Sequence, residues 1–117
     1  MIKKITVYLI AFVLFLCLNI DIFTHPASAI YVKQDKVKGI LMIQITHPVR
    51  NVTRHYISKV VIKINGKIVK ILSPAKQTNK TSEIINVKVG NYKKGSRIDV
   101  IATCNIRGTR STTLTGM

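Results

Sequence analysis

The sequence has 117 residues, of which 19 are Lys or Arg and only 4 are Asp or Glu, giving a formal net charge of +15. This length supports one small domain and excludes multidomain enzymes and nucleotide-binding βαβ architectures. So few acids nearly exclude catalysis by paired carboxylates. The sequence also contains no glycine-rich phosphate loop, no paired CxxC motif and no HExxH motif.

The N-terminus has the layout of a secretory signal peptide. Two lysines precede an apolar run from Ile5 to Ile20, and Ala27–Ala29 supplies the small residues that a signal peptidase requires. We predict a signal peptide over residues 1–29 and a mature domain over residues 30–117. The mature protein is then exported to the periplasm, the cell envelope or the medium, and an uncleaved N-terminal membrane anchor is the alternative.

The predicted mature domain remains strongly basic, because only two basic residues and one acid, Asp21, precede Ile30. Its basic residues are spread along the whole chain, which produces a positive field rather than one patch. This charge either keeps the domain soluble or attracts it to anionic envelope polymers or membrane surfaces. Nucleic acid is not a predicted partner, because the protein is exported and lacks interleaved aromatic residues for stacking on bases.

Short runs of alternating apolar residues, separated by turn residues, predict an all-β domain. The predicted strands are 40–46, 56–64, 67–72, 84–89, 97–104 and 109–115. Asn65-Gly66 predicts a tight hairpin, and the polar segment Ser73 to Ser82 predicts a crossing loop. Six or seven short antiparallel strands favour an immunoglobulin-like β-sandwich over an open barrel.

The same alternation places possible functional residues on the core-facing side of two strands. His47 continues the inward row of Leu41, Ile43 and Ile45 at the end of the first predicted strand. Cys104 ends the inward row of the strand 97–104, in which Asp99 faces outward beside Arg97.

His47 and His55 are the two histidines of the predicted mature domain, since His25 leaves with the signal peptide. The residues between them predict one loop at one end of the sandwich, so both imidazoles can face one metal ion. Cys104 joins them if its strand ends at the same rim. A His2Cys set suits iron, zinc or copper.

Each of these residues also has a purely structural interpretation, because a histidine in a loop and a buried cysteine are ordinary features. Cys104 is the single thiol once Cys17 is removed, which excludes a disulfide within the mature chain and allows one between chains. A Cys104–His55 nucleophile is a further alternative, although the sequence places no third orienting group.

Three segments resemble the desulfoferrodoxin and superoxide reductase family. They are His47-Pro48, then His55-Tyr56-Ile57 with Asn65-Gly66-Lys67 behind it, and Ala102-Thr103-Cys104-Asn105-Ile106-Arg107-Gly108. The likeness covers most of residues 39–115. It implies an immunoglobulin-like sandwich that holds a mononuclear ferrous iron by four His and one axial Cys, with a sixth position for superoxide.

By this resemblance, His47, His55 and Cys104 are three of the iron ligands. A donor of unknown identity supplies the electron for the reaction. An anionic thiolate opposite the open position would push electron density towards the bound oxygen species, and a positive surface would attract superoxide.

Two of the five family ligands are not matched. Arg107 stands where the family pattern Cys-Asn-x-His-Gly has its histidine, and a guanidinium does not ligate metals. No histidine lies between Ile30 and His47. The resemblance therefore implies a degenerate or altered iron site, with a metal-free domain as the alternative.

The chain is also similar to the carrier subunit of the thiosulfate-oxidation system. This likeness rests on the order His-Pro, His-Tyr-Ile, Asn-Gly-Lys, Ser-Pro-Ala and Lys-Gly. It implies a metal-free sandwich that binds an exported partner protein.

Overall fold

A computed structural model describes residues 26–117 of the chain. The apolar run of the predicted signal peptide, with Cys17 and His25, lies outside the described residues. The strands are β1 (Ala29–Asp35), β2 (Ile40–Thr46), β3 (Ile57–Ile64), β4 (Lys67–Leu72), β5 (Ser82–Lys88), β6 (Arg97–Cys104) and β7 (Thr109–Thr115). Residues 26–117 form no helix that could cross a membrane.

The strands form two antiparallel sheets that pack as a sandwich. One sheet has the order β1-β2-β5, and the other has the order β4-β3-β6-β7. The prediction of an all-β, immunoglobulin-like sandwich of six or seven strands is confirmed, with seven strands in the described part of the chain.

The core lies between the two sheets because alternate residues of the central strands point inward. Its fully buried members come mainly from β2, β3 and β6: Leu41, Ile43, Ile45, Ile57, Val60, Ile62, Ile98, Val100 and Ala102. The inward rows predicted for β2 and β6 are therefore correct, and the residues that end them, His47 and Cys104, are buried as well.

The structure differs from the sequence prediction at β1. This edge strand pairs with β2 from Ala29–Thr46 to Asp35–Ile40. It was not predicted because its apolar alternation is short, with Ile30 and Val32 directed towards the core before Gln34 interrupts the pattern. The bounds predicted for β2, β4, β6 and β7 agree with the structure, and those for β3 and β5 differ by one or two residues.

The residues just before the predicted cleavage point pack against the domain. The Ser28 backbone N–H donates to the Thr46 carbonyl at 2.8 Å, and Ala27 belongs to the buried core. Cleavage before Ile30 would remove both contacts. The signal peptide and its cleavage point remain predictions.

The hairpin predicted at Asn65-Gly66 is confirmed. Both residues have positive φ, 51° and 81°, as a tight turn between β3 and β4 requires. The Asn65 side chain also holds the turn against β6, because its Oδ1 accepts the Arg97 backbone N–H at 2.9 Å.

Asp99 faces the outer side of its sheet, as predicted, but it is only 8% exposed. The Thr113 hydroxyl donates to Asp99 Oδ1 at 2.6 Å, and Arg97 Nε donates to the same oxygen at 3.2 Å. These bonds, the Thr113 bond first, hold the pKa of Asp99 below its usual range despite the opposing effect of desolvation.

Candidate metal site

Three chain segments meet at one end of the sandwich and bring His47, His55 and Cys104 together. His47 directly follows β2 in the three-stranded sheet, whereas His55 precedes β3 and Cys104 ends β6 in the other sheet. The site therefore lies between the two sheets, at the rim where the sequence predicted that the two histidines would meet.

The candidate ligand atoms of the three residues all lie within 4.8 Å of one another. His55 Nε2 and Cys104 Sγ are 3.1 Å apart, and the two imidazole rings stand perpendicular with centroids 4.7 Å apart. His47 and Cys104 are buried, and His55 is half-buried. The site is thus closed towards the core and open towards solvent through His55.

Gln77 selects one tautomer of the neutral His47 ring. Its side-chain Nε2 donates to two backbone carbonyls, those of His47 at 2.7 Å and Asn79 at 2.9 Å. This orientation makes Gln77 Oε1 the acceptor for His47 Nδ1 at 2.7 Å. In the neutral imidazole the proton is then on Nδ1, so Nε2 carries the lone pair that a metal requires.

The loop between the two histidines is ordered by Asn51. Its side-chain Oδ1 accepts the backbone N–H and the hydroxyl of Thr53, at 3.0 and 2.7 Å. Its carbonyl accepts the backbone N–H of His55 at 3.0 Å. Such a local Asx turn gives the loop a defined shape and fixes the position of the His55 backbone.

Asn105 fastens this loop to the strand that carries Cys104. Its side-chain Oδ1 accepts the Tyr56 backbone N–H at 2.9 Å, and its Nδ2 donates to the Arg54 carbonyl at 2.9 Å. Its own backbone N–H donates to the Tyr56 carbonyl at 3.0 Å. The residues on either side of His55 are therefore bound to the residue that follows Cys104, which keeps the imidazole beside the sulfur.

The turn after Cys104 requires glycine at position 108. Gly108 has a φ of 95°, and a Cβ atom there would lie 2.9 Å from the Pro26 side chain. Its carbonyl accepts the Cys104 backbone N–H at 3.0 Å. Arg107 lies in this tight turn and is exposed, and its guanidinium group does not ligate metals.

The loops at this end of the sandwich are uniformly basic. Residues 47–56, 73–81 and 105–108 contain no acid. Their exposed cations are Arg50, Arg54, Lys76, Lys80 and Arg107. Such a rim raises the local concentration of small anions near the site.

The three residues fit a transition metal ion as a partial ligand set. Metal–nitrogen and metal–sulfur bonds of about 2.1 and 2.3 Å at a right angle separate the donor atoms by about 3.1 Å, which matches the His55–Cys104 distance. Separations up to 4.8 Å slightly exceed what two such bonds span, about 4.4 Å. Donor atoms at the upper end of this range would have to move slightly closer together to share one ion. The five-ligand set of the resemblance is not present among residues 26–117.

The burial of Cys104 bears on its other interpretations. Cys104 is the free cysteine of the described residues and is only 4% exposed. A buried sulfur is poorly placed for a disulfide between chains or for attack on a large substrate. Its nearest polar neighbour is His55, so metal ligation and inert packing remain as the interpretations that the geometry favours.

Sequence reasoning did not assign a role to Gln77 or Asn105. Gln77 lies in the segment predicted as a crossing loop, and no local pattern distinguishes it from its polar neighbours. Asn105 belongs to the Cys-Asn segment that carries the family resemblance. Its place in that segment is the sequence signal that could have linked it to Cys104.

Two solved structures are similar to this chain. One is a superoxide reductase in the oxidised state, with a TM-score of 0.50 and 17% sequence identity, covering 80% of this chain and 88% of that one. The fold is superoxide reductase-like. The second is the superoxide reductase (neelaredoxin) of Archaeoglobus fulgidus in the reduced form, with a TM-score of 0.44 and 18% identity over 80% of this chain and 91% of that one.

No protein-family model matches the chain, and no curated protein matches it. At 17% identity the first structure supports the superoxide reductase-like fold. The chemistry of this chain has to be argued from its own residues.

Proposed function

We propose that this protein is an exported, superoxide reductase-like domain that holds one iron ion through His47, His55 and Cys104. The observation that carries the proposal is the convergence of two imidazoles and one thiol within 4.8 Å, contributed by both sheets of the sandwich. Three separate chain segments would not be expected to bring all the His and Cys side chains of residues 26–117 to one point by packing alone.

The surrounding hydrogen bonds support metal ligation. A histidine that binds a metal usually donates its other ring N–H to an oxygen, which orients the ring and raises its basicity. His47 does so through Gln77. Asn105 in turn holds the His55 segment beside Cys104, so both imidazoles are positioned by neighbouring side chains.

Bound ferrous iron would supply the one-electron chemistry that converts superoxide to hydrogen peroxide, with one electron from an external donor and two protons. The basic rim would attract the anionic substrate. Burial of His47 and Cys104 would exclude water from one side of the site, and access would be from the half-buried His55 side. The identity of the electron donor is unknown.

The proposal is tested by superoxide consumption in protein purified anaerobically with ferrous iron. The His55→Ala and Cys104→Ser variants remove a ligand at the site, and Ser96→Ala, a buried polar residue at the opposite end of the sandwich, is the matched control. We expect catalytic consumption by the native chain and the control, and loss of it in both site variants.

Consumption that is equal in the native chain and the site variants would contradict the proposal. Tight iron binding without superoxide consumption would retain the metal site and reject the activity. A stable, metal-free complex with one exported protein would favour the alternative of a partner-binding module similar to the thiosulfate-oxidation carrier subunit.

A further inference from the structure

The outer face of the three-stranded sheet is apolar at its centre. Tyr31, Met42 and Ile84 are exposed on this face, and the strand register places them in adjacent rows with Gln44 and Asn86. They line a shallow depression of about 260 Å³. Pockets that enclose small molecules are larger, about 300–1,000 Å³, so the depression suits contact with an extended surface.

Lysines surround this apolar centre. Lys33 and Lys88 are exposed on the two edge strands, β1 and β5. In the turn between β1 and β2, Lys36 and Lys38 flank Val37, which is 98% exposed. Isolated exposed apolar residues are common, but a fully exposed valine between two lysines, next to an apolar sheet face, is an amphipathic surface.

The outer face of the four-stranded sheet carries two exposed isoleucines on its edge strand β4, but charged groups lie at its centre. Its central strands β3 and β6 direct Lys59, Lys63 and Asp99 outward, and Asp99 is already engaged by Arg97 and Thr113. Removing the two lysine ammonium groups from water would be costly. By contrast, the central strand of the other sheet, β2, has no charged residue.

We propose that the β1-β2-β5 face, together with the turn at residues 36–39, binds the surface of anionic lipid membranes. Lysines at the margin would reach anionic headgroups while Val37 and the apolar centre contact the acyl boundary. The excess of basic residues disfavours a second copy of this chain as the occupant. An anionic polymer would use the lysines but would leave the apolar centre exposed.

The proposed membrane contact does not use the candidate metal site. The turn at residues 36–39 lies at the start of β2, and His47 follows the end of the same strand. The turn is therefore at the opposite end of β2 from His47, so membrane contact through the turn does not cover the site formed by His47, His55 and Cys104.

The test is sedimentation with vesicles, using the full chain recovered after export, with its N-terminus determined by mass spectrometry. The vesicles contain phosphatidylcholine with phosphatidylglycerol, or phosphatidylcholine alone. We expect binding to the anionic vesicles. It should fall about thirtyfold in the double variant Lys36→Gln, Lys38→Gln and roughly fivefold in Ile84→Ser.

Matched controls lie on the other sheet. The double variant Lys67→Gln, Lys70→Gln removes the same charge from exposed positions of β4, and Ile71→Ser replaces an isoleucine that is as exposed as Ile84. We expect less than a threefold change in either control, with all thermal melting curves cooperative. Equal losses on both faces, no binding to anionic vesicles, or binding restricted to an acidic protein or polymer would each overturn the proposal.

Discussion

In residues 26–117, glutamine and asparagine side chains link neighbouring segments at both ends of the sandwich, but the candidate metal ligands lie at one end. At the site end, the Gln77 side chain forms hydrogen bonds with His47 and Asn79, and the Asn105 side chain accepts the Tyr56 backbone N–H. At the opposite end, Gln34 accepts the Tyr92 hydroxyl at 2.6 Å and donates to the Thr115 carbonyl at 3.1 Å. The Asn65 side chain binds Arg97 there.

The difference lies in what the two glutamines contact. Gln34 bonds a phenol and backbone groups, so its network is complete when the domain is folded. Gln77 bonds an imidazole and thereby sets which ring nitrogen of His47 carries a lone pair. The same hydrogen-bonding device therefore stabilises the fold at one end and, by our proposal, prepares a ligand at the other.

Replacement of each glutamine by leucine separates these two roles. Gln77→Leu leaves a buried His47 N–H without its acceptor, so we expect a loss of about 2–3 kcal/mol in unfolding free energy. We also expect metal affinity to fall by roughly 10–100-fold. Gln34→Leu should lower stability by about 1 kcal/mol and leave metal affinity unchanged.

Denaturant unfolding and metal titration of both variants check this prediction. Gln77→Glu is informative as well, because it keeps an oxygen that can accept from His47 Nδ1 but loses the amide that donates to the His47 and Asn79 carbonyls. We expect it to lose stability and to keep more metal affinity than Gln77→Leu. Equal effects of Gln77→Leu and Gln34→Leu on metal affinity would remove the distinction between the two ends.

The two asparagines provide a second, smaller contrast. Asn105→Ala removes the bonds to Arg54 and Tyr56 and should loosen His55 beside Cys104, with metal affinity falling about tenfold. Asn65→Gly suits the positive φ of that turn and removes the corresponding bond at the far end. It should reduce stability and leave metal affinity unchanged, as measured by the same titration.

The Asp99 carboxylate predicts a pH dependence that belongs to the fold and not to the site. The Thr113 and Arg97 bonds lower the pKa of Asp99. Its ionised form therefore stabilises the fold at pH values above the ordinary pKa of an aspartate, and this stabilisation is lost as the pH falls through the lowered pKa. Asp99→Asn should therefore be less stable than the native chain at neutral pH, by less than Gln77→Leu. Thermal unfolding measured from pH 7 to pH 2 should show the difference disappearing in acid.

The smallest expected change in stability concerns Tyr92, and it depends on alkaline pH. Burial raises the pKa of the Tyr92 hydroxyl above its ordinary value. The protonated hydroxyl therefore contributes fully to stability at pH values below the ordinary pKa, and this contribution is lost as the pH rises through the raised pKa. Tyr92→Phe should lose only the bond to Gln34, about 1 kcal/mol or less at neutral pH. Its stability should then decline less than that of the native chain in alkaline unfolding experiments.

Much of the fold could be predicted from the sequence because period-two alternation directly reports which residues face the core. The inward rows ending at His47 and Cys104 follow from it, as does the Asn65-Gly66 hairpin. The edge strand β1 could not be predicted in this way, because an edge strand with few inward apolar residues has only a weak pattern.

The convergence of the three candidate ligands could be predicted from the sequence, but the contacts that support them could not. His47, His55 and Cys104 could be named because few residue types bind metals and because strand ends place them at a rim. Gln77 acts across a sequence separation of 30 residues, and Asn105 reaches back to the segment around His55. Such long-range hydrogen bonds depend on loop conformations that no local pattern encodes.

The central claim, that His47, His55 and Cys104 bind one metal ion, is tested most directly by metal content. The measurement is mass spectrometry of protein produced anaerobically with ferrous iron, together with an absorbance spectrum after mild oxidation. We predict close to one iron per chain and a thiolate-to-ferric charge-transfer band that disappears in Cys104→Ser. Protein with no bound metal and no such band would contradict the claim.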